Sequence, residues 1–146
     1  MAECIFCAIA RGEAKASVVY EDPDTLAFLD SRPLFPGHVL VVPRAHVASL
    51  LELPLDQAPA LLGAAQKVAR ALEAGLGCQG SFVAINNKVS QSVPHLHVHV
   101  VPRRRKDGLK GFFWPRHPYG SDEERREVAA KLRAALGALQ RSTAGQ

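Results

Sequence analysis

At 146 residues the chain is long enough for one domain with a core of its own. A hydrophobic share of 47% against 22% charged residues marks it as globular rather than disordered. The net charge of +4 is concentrated between residues 103 and 110, which suits an anionic ligand. It reads as an attraction for phosphate more than as a surface for duplex nucleic acid. Apolar runs fall far short of a membrane span and no secretory core stands near the N-terminus, so a soluble, cytoplasmic setting is expected.

Cys4-Ile5-Phe6-Cys7 lies in a short turn or helix, Cys4 to Arg11, ended by Gly12. Three cysteines are too few for a disulfide scaffold, so this pair is a candidate for metal or for redox chemistry. Tetrahedral zinc needs two further nitrogen or sulfur ligands, which the histidines can supply. Cys78 reads as a small buried hydrophobe or a loop thiol. Val18–Glu21 is a short strand, Asp22-Pro23-Asp24 a turn, and Thr25–Asp30 a second strand. Arg32–His38 is a connection stiffened by Pro and Gly, in which His38 reads as structural. Val39–Pro43 is continuously apolar, hence a strand covered on both faces.

Between Asp56 and Leu76 apolar residues recur at three and four: Leu61, Leu62, Ala65, Val68, Ala69, Leu72, Leu76. This is an amphipathic helix with Asp56 as cap and Gly75 and Gly77 as stops, packed across a sheet. Ser81–Asn86 is the next strand, leading through a polar loop, Asn86–Val93, into Pro94-His95-Leu96-His97-Val98-His99-Val100-Val101-Pro102. In an extended chain alternate side chains share a face, so three of the six histidines form one row while Leu96, Val98 and Val100 enter the core. Three adjacent imidazoles are hard to satisfy as ordinary core residues. Imidazole acts as nucleophile, general acid or metal ligand near neutral pH, and the row reads as an active site. Beyond it, Arg103–Lys110 is either a solvated face or a contact for outer phosphates, and Phe112-Phe113-Trp114-Pro115 is an apolar cluster. Ser121-Asp122-Glu123-Glu124 is a capping box opening a final helix to about Leu139, with a frayed tail from Arg141.

The His-x-His-x-His row with apolar spacers and a following Pro resembles the signature of the histidine-triad (HIT) nucleotide hydrolases and transferases. So does the block from Ala27-Phe28-Leu29-Asp30 through Pro36-Gly37-His38 to Pro43, and the resemblance covers roughly residues 3–116. It implies an α+β fold: an antiparallel sheet of about five strands with one main packed helix, plus a C-terminal helical extension over 120–140 within a single domain, 1–146. It also implies a two-fold homodimer.

The resemblance further implies a purine nucleotide substrate. The base would lie in an apolar slot with Ile5, Phe6, Ile9, Phe28 and Leu29, and Asp30 would accept from the ribose hydroxyls. Gln91 and Ser92 would bind the α-phosphate and the bridging atom, with Asn86 as the matching phosphate-side amide. The loop carrying Asn86 is about two residues shorter than the common family form and lacks its glycines. His97 would attack the α-phosphorus to form a nucleotidyl-imidazole that water then hydrolyses, and His99 would bind phosphoryl oxygens and assist the leaving group. In the zinc-bearing branch the ligands match Cys4, Cys7, His46 and His95, a closed structural site, and no organic cofactor is implied. The uridylyltransferase branch carries Gln at the third position of the row, so His99 argues for a hydrolase. Nucleoside phosphoramidates and diadenosine polyphosphates are the competing substrates, the latter suggested by the Arg103–Lys110 run. Some relatives carry a Trp-Pro that reaches the partner's active site, and Trp114 is either that residue or a core or interface anchor. A non-catalytic nucleotide-binding dimeric scaffold is the alternative.

Overall fold

The computed structural model describes residues 3–110 and 115–144; the expected anchor cluster Phe112, Phe113 and Trp114 lies outside them. The chain divides into two compact units, Met1–Asp107 and Gly108–Gln146. The first is built on a five-stranded antiparallel sheet. Its strands are β1 (Val18–Glu21), β2 (Thr25–Leu29), β3 (Val39–Pro43), β4 (Gly80–Ala84) and β5 (Val98–Arg103), in spatial order β1-β2-β3-β5-β4. Antiparallel pairing lets short connections suffice, and the one long crossover, from β3 to β4, carries helix α2 (Ala58–Leu76).

Strict alternation along the central strands separates two cores. Ala27, Val39, Val41, Leu96, Val98 and Val100 face α2, whose Leu61, Ala64, Ala65, Val68 and Leu72 complete that layer. Leu26, Phe28, Leu40 and Val42 face the other way and pack on Phe6 of the short helix α1 (Ile5–Ala10). Every residue of β3 is buried, as its unbroken apolar run requires. Arg44, just past β3, ties α1 to the sheet: its guanidinium donates to the Asp22 and Ala10 carbonyls and to the Glu21 carboxylate.

Several boundaries differ from the pattern reading; β4 spans Gly80–Ala84 rather than Ser81–Asn86, and β2 ends at Leu29 rather than Asp30. Asp56 does not cap α2; it sits in a 3₁₀ turn over Leu55–Gln57, and the helix starts after Gln57 with no side-chain cap. The expected strand from Pro94 starts only at Val98, because residues 92–95 bend before the ladder forms. In the second unit, helix α3 (Asp122–Ala144) runs five residues past Leu139. Its capping box is present with a shifted register: the Glu124 N–H donates to Ser121 Oγ, while the Gly120 N–H donates to the Glu124 carboxylate.

Gly37 is the tightest backbone position between β2 and β3. Its φ is +102°, and a Cβ there would stand 2.5 Å from Leu76 Cδ1. Gly37→Ala is therefore expected to cost about 1–3 kcal/mol of unfolding free energy. The lower urea midpoint, at unchanged slope, is the readout, and an unshifted midpoint would contradict the packing described.

Candidate active site and metal centre

The face of the sheet that carries Phe6 also carries the histidine row. The Phe6 ring stands edge-on to His95 and His97, with centroids 5.8 and 5.2 Å apart, and the His97 and His99 rings are 4.9 Å apart. His95 and His97 are buried, while His99 is half-buried and pairs with Leu40 in the β3–β5 ladder. His97 and His99 open on a hollow of about 860 Å³, with Phe6, Phe28, Leu29, Asp30 and Ser92 in its walls.

Hydrogen bonds to groups that can play only one role set the tautomers. A carbonyl oxygen only accepts, so His97 Nδ1, 2.8 Å from the His95 carbonyl, carries the proton. Its Nε2 keeps a lone pair. The Leu34 N–H only donates, and it lies 3.1 Å from His38 Nδ1, so His38 is protonated at Nε2. That nitrogen is 3.0 Å from His99 Nδ1 and donates to it, which leaves the His99 proton on Nε2. The row thus offers a lone pair from its middle ring and an N–H from its third. Burial, with the neighbouring His97 and His38, lowers the His99 pKa to about 4, and burial lowers that of His38 as well. Both rings are neutral at pH 7.

His38, read from the sequence as structural, thus fixes the proton of His99. Its signal was a lone imidazole, Pro36-Gly37-His38, at the mouth of an otherwise aliphatic strand. The carboxylate of Asp30 lies 3.6 Å from His38 Nε2 and takes the Arg32 N–H at 2.9 Å. Lys15, Ser17, Ser31 and Arg32 also line the hollow and were not anticipated.

Asn86 and Gln91 do not line the hollow. The Gln91 amide braces the loop, accepting from the Lys88 N–H at 2.9 Å and donating to the Ala48 carbonyl at 2.6 Å. Asn87 takes the Leu50 N–H from the same side. Lys88 and Ser90 adopt positive φ, the conformation that glycine takes at least cost. In the basic run, Arg103 is paired with Asp107 at 2.6 Å, and Arg104 donates to the Leu76 and Gly77 carbonyls at the end of α2. These two cations support structure at the far end of β5.

Cys4, Cys7, His46 and His95 converge, their ligand atoms all within 4.8 Å of one another. His95 Nδ1 stands 3.4 and 3.5 Å from the two sulfurs, and His46 Nδ1 stands 3.4 Å from Cys7 Sγ. For Zn–S near 2.3 Å and Zn–N near 2.05 Å, a tetrahedron has S···N edges of about 3.6 Å, so the spacing fits a metal of that kind. The tautomer fits too: His95 Nε2 donates to the Pro43 carbonyl at 2.8 Å, freeing the Nδ1 lone pair toward the sulfurs. Burial and the adjacent Cys4 thiol push the Cys7 thiol up, a penalty that a bound cation reverses. Among the described residues no helix is long and apolar enough to cross a membrane.

The HIT domain family matches residues 11–106. Adenosine 5'-monophosphoramidase hnt1 of Schizosaccharomyces pombe is 32% identical over 89% of this chain and 98% of that protein. Among solved structures, SMU.412c of Streptococcus mutans superposes with TM-score 0.84 at 36% identity, over 93% of this chain and 87% of that one. A Zn-bound histidine triad family protein from Mycobacterium smegmatis is 39% identical with TM-score 0.70, over 90% and 96%.

The lowered histidine pKa values carry a sign. An unfolded histidine titrates near 6.5 and His99 near 4, so the unfolded chain binds more protons between these values. Stability is therefore expected to fall as pH drops from about 6.5 toward 4, and His99→Asn to flatten that slope. Urea midpoints at pH 7 and pH 5 test it; equal slopes in both proteins would contradict it.

Proposed function

Because the chain belongs to the HIT domain family, we propose that it is a cytoplasmic hydrolase acting at the α-phosphorus of purine nucleotide conjugates. The reaction proceeds through a nucleotidyl-histidine on His97. The observation that carries this reading is the His97 Nδ1–H bond to its own neighbour's carbonyl, which leaves the Nε2 lone pair at the hollow. Attack forms the phosphorus–Nε2 bond as the bond to the leaving group breaks, and water then breaks the phosphorus–Nε2 bond. His99 offers its Nε2–H to a phosphoryl oxygen or to the leaving atom as a neutral donor. Phe6 and Phe28 flank the base and Asp30 accepts from the ribose hydroxyls, with Ser92 at the phosphate. His38 is a positioning residue acting through His99.

A small leaving group, as in a phosphoramidate, is favoured over a second nucleotide. The cations that suggested a polyphosphate, Arg103 and Arg104, are engaged by Asp107 and by the end of α2. The relative named as an adenosine 5'-monophosphoramidase supports the same choice. Cys4, Cys7, His46 and His95 would hold zinc with no open position, so the metal would supply rigidity at the base of the row. A homodimer belongs to the same proposal, supported by the exposed Leu62 of α2 and Val83 of edge strand β4.

Intact mass after brief incubation with adenosine 5'-phosphoramidate is expected to show one added adenylyl group, absent in His97→Ala. His99→Ala should slow turnover by about 10²–10⁴-fold. An adduct persisting in His97→Ala, or nucleotide binding without turnover in the wild type, would overturn the reading. For the metal, about one zinc per chain is expected, lost in Cys4→Ser with turnover largely kept. Wild-type protein free of zinc as isolated would contradict the assignment.

A further inference from the structure

The hollow that holds His97 and His99 also carries charge that the proposed reaction does not use. Lys15 and Arg32 both line it, and neither side chain has an ion pair or hydrogen bond among the described residues. They come from separate segments, the α1–β1 connection and the β2–β3 connection, and line the hollow together with Asp30. The β1–β2 register brings the two segments side by side. Val18 faces Phe28, and the Leu29 N–H donates to the Ser17 carbonyl at 3.0 Å. That bond holds the segment before β1 against the end of β2, next to Asp30 in the chain. From the other side, the Asp30 carboxylate takes the Arg32 N–H and turns the chain so that Arg32 follows beside it. The lining thus combines two cations and one carboxylate with the hydroxyls of Ser17 and Ser31. The histidines nearest to Asp30, His38 and His99, are neutral at pH 7 and add no charge.

Resting on the reading above, in which Asp30 meets the ribose, we infer that this wall is a subsite for a second phosphate carried on the ribose 2' or 3' oxygen. A carboxylate alone repels such a group; a guanidinium and an ammonium in the same lining reverse the sign. Arg32 supplies a fork suited to two phosphate oxygens and Lys15 a point charge, while the serine hydroxyls donate to the remaining oxygens. Asp30 keeps the one free ribose hydroxyl. The α-phosphate stays with Ser92, His97 and His99, so the two anions occupy different parts of the hollow. The preferred substrates are then nucleotide conjugates already phosphorylated on the ribose.

Calorimetric titration of the whole protein with AMP, adenosine 3',5'-bisphosphate, adenosine 2',5'-bisphosphate and ADP tests the inference. One of the two bisphosphates is expected to bind about tenfold or more tightly than AMP. In the double variant Lys15→Ala/Arg32→Ala the ratio of the two affinities should fall close to one. Bisphosphates that bind no more tightly than AMP, or a gain that survives the double substitution, would overturn it. A gain shown by ADP alone and lost in the variant would put the cations at the phosphate tail, also overturning the ribose placement. Failure of AMP itself to bind is a different result, and it removes the nucleotide reading together with the subsite.

Discussion

His95 is the joint on which the site turns. Its ring Nε2 donates to the Pro43 carbonyl at the end of β3, its Nδ1 faces Cys4 and Cys7, and its backbone carbonyl receives the proton of His97. One fully buried residue thus couples the N-terminal cysteines, the central strand and the middle ring of the row. Any shift of the first ring passes through its own backbone and one hydrogen bond to the second. A metal on the four converging ligands would stiffen that joint from outside the reaction hollow, which gives a closed site a part in preorganisation without a part in the chemistry.

Burying imidazoles is expensive unless each nitrogen is accounted for, at about 1–3 kcal/mol for each group left unpaired. Here the account closes nearly everywhere. His38 uses both nitrogens, His95 uses Nε2 on a carbonyl and Nδ1 on the thiols, and His97 and His99 each use Nδ1. What remains are two Nε2 atoms on adjacent rings, one with a lone pair and one with a proton. An attacking atom and a donor side by side suit a phosphoryl group entering between them. Neutrality matters as much as orientation for the donor and its positioning residue, and burial supplies it by lowering the His99 and His38 pKa values.

Much of this was legible in the sequence, wherever the relevant physics has a short period. The three-and-four spacing of α2, the unbroken apolar run of β3 and the alternation that divides Leu96, Val98 and Val100 from the histidines all leave local patterns. Other features rest on contacts that no local pattern records. Nothing local signals that the Gln91 amide donates to the Ala48 carbonyl, 43 residues away. Arg104 looked like a free cation, yet it holds carbonyls 27 and 28 residues back. The strand reading from Pro94 missed the bend because an extended chain keeps its alternation whether or not it is paired. In this glycine-free loop Lys88 and Ser90 take the left-handed backbone themselves. His38 was underread for the same reason as Gln91: its importance lies in a contact with His99, 61 residues on.

The claim that carries the most weight is the opposite protonation of neighbouring rings. Long-range nitrogen–proton correlation spectra of ¹⁵N-histidine-labelled protein at pH 7 read it without substrate or mutation. The account predicts the His97 proton on Nδ1 and His99 as the neutral Nε2–H tautomer. A His97 ring protonated at Nε2, or a charged pair, would leave no lone pair facing the hollow and would contradict it.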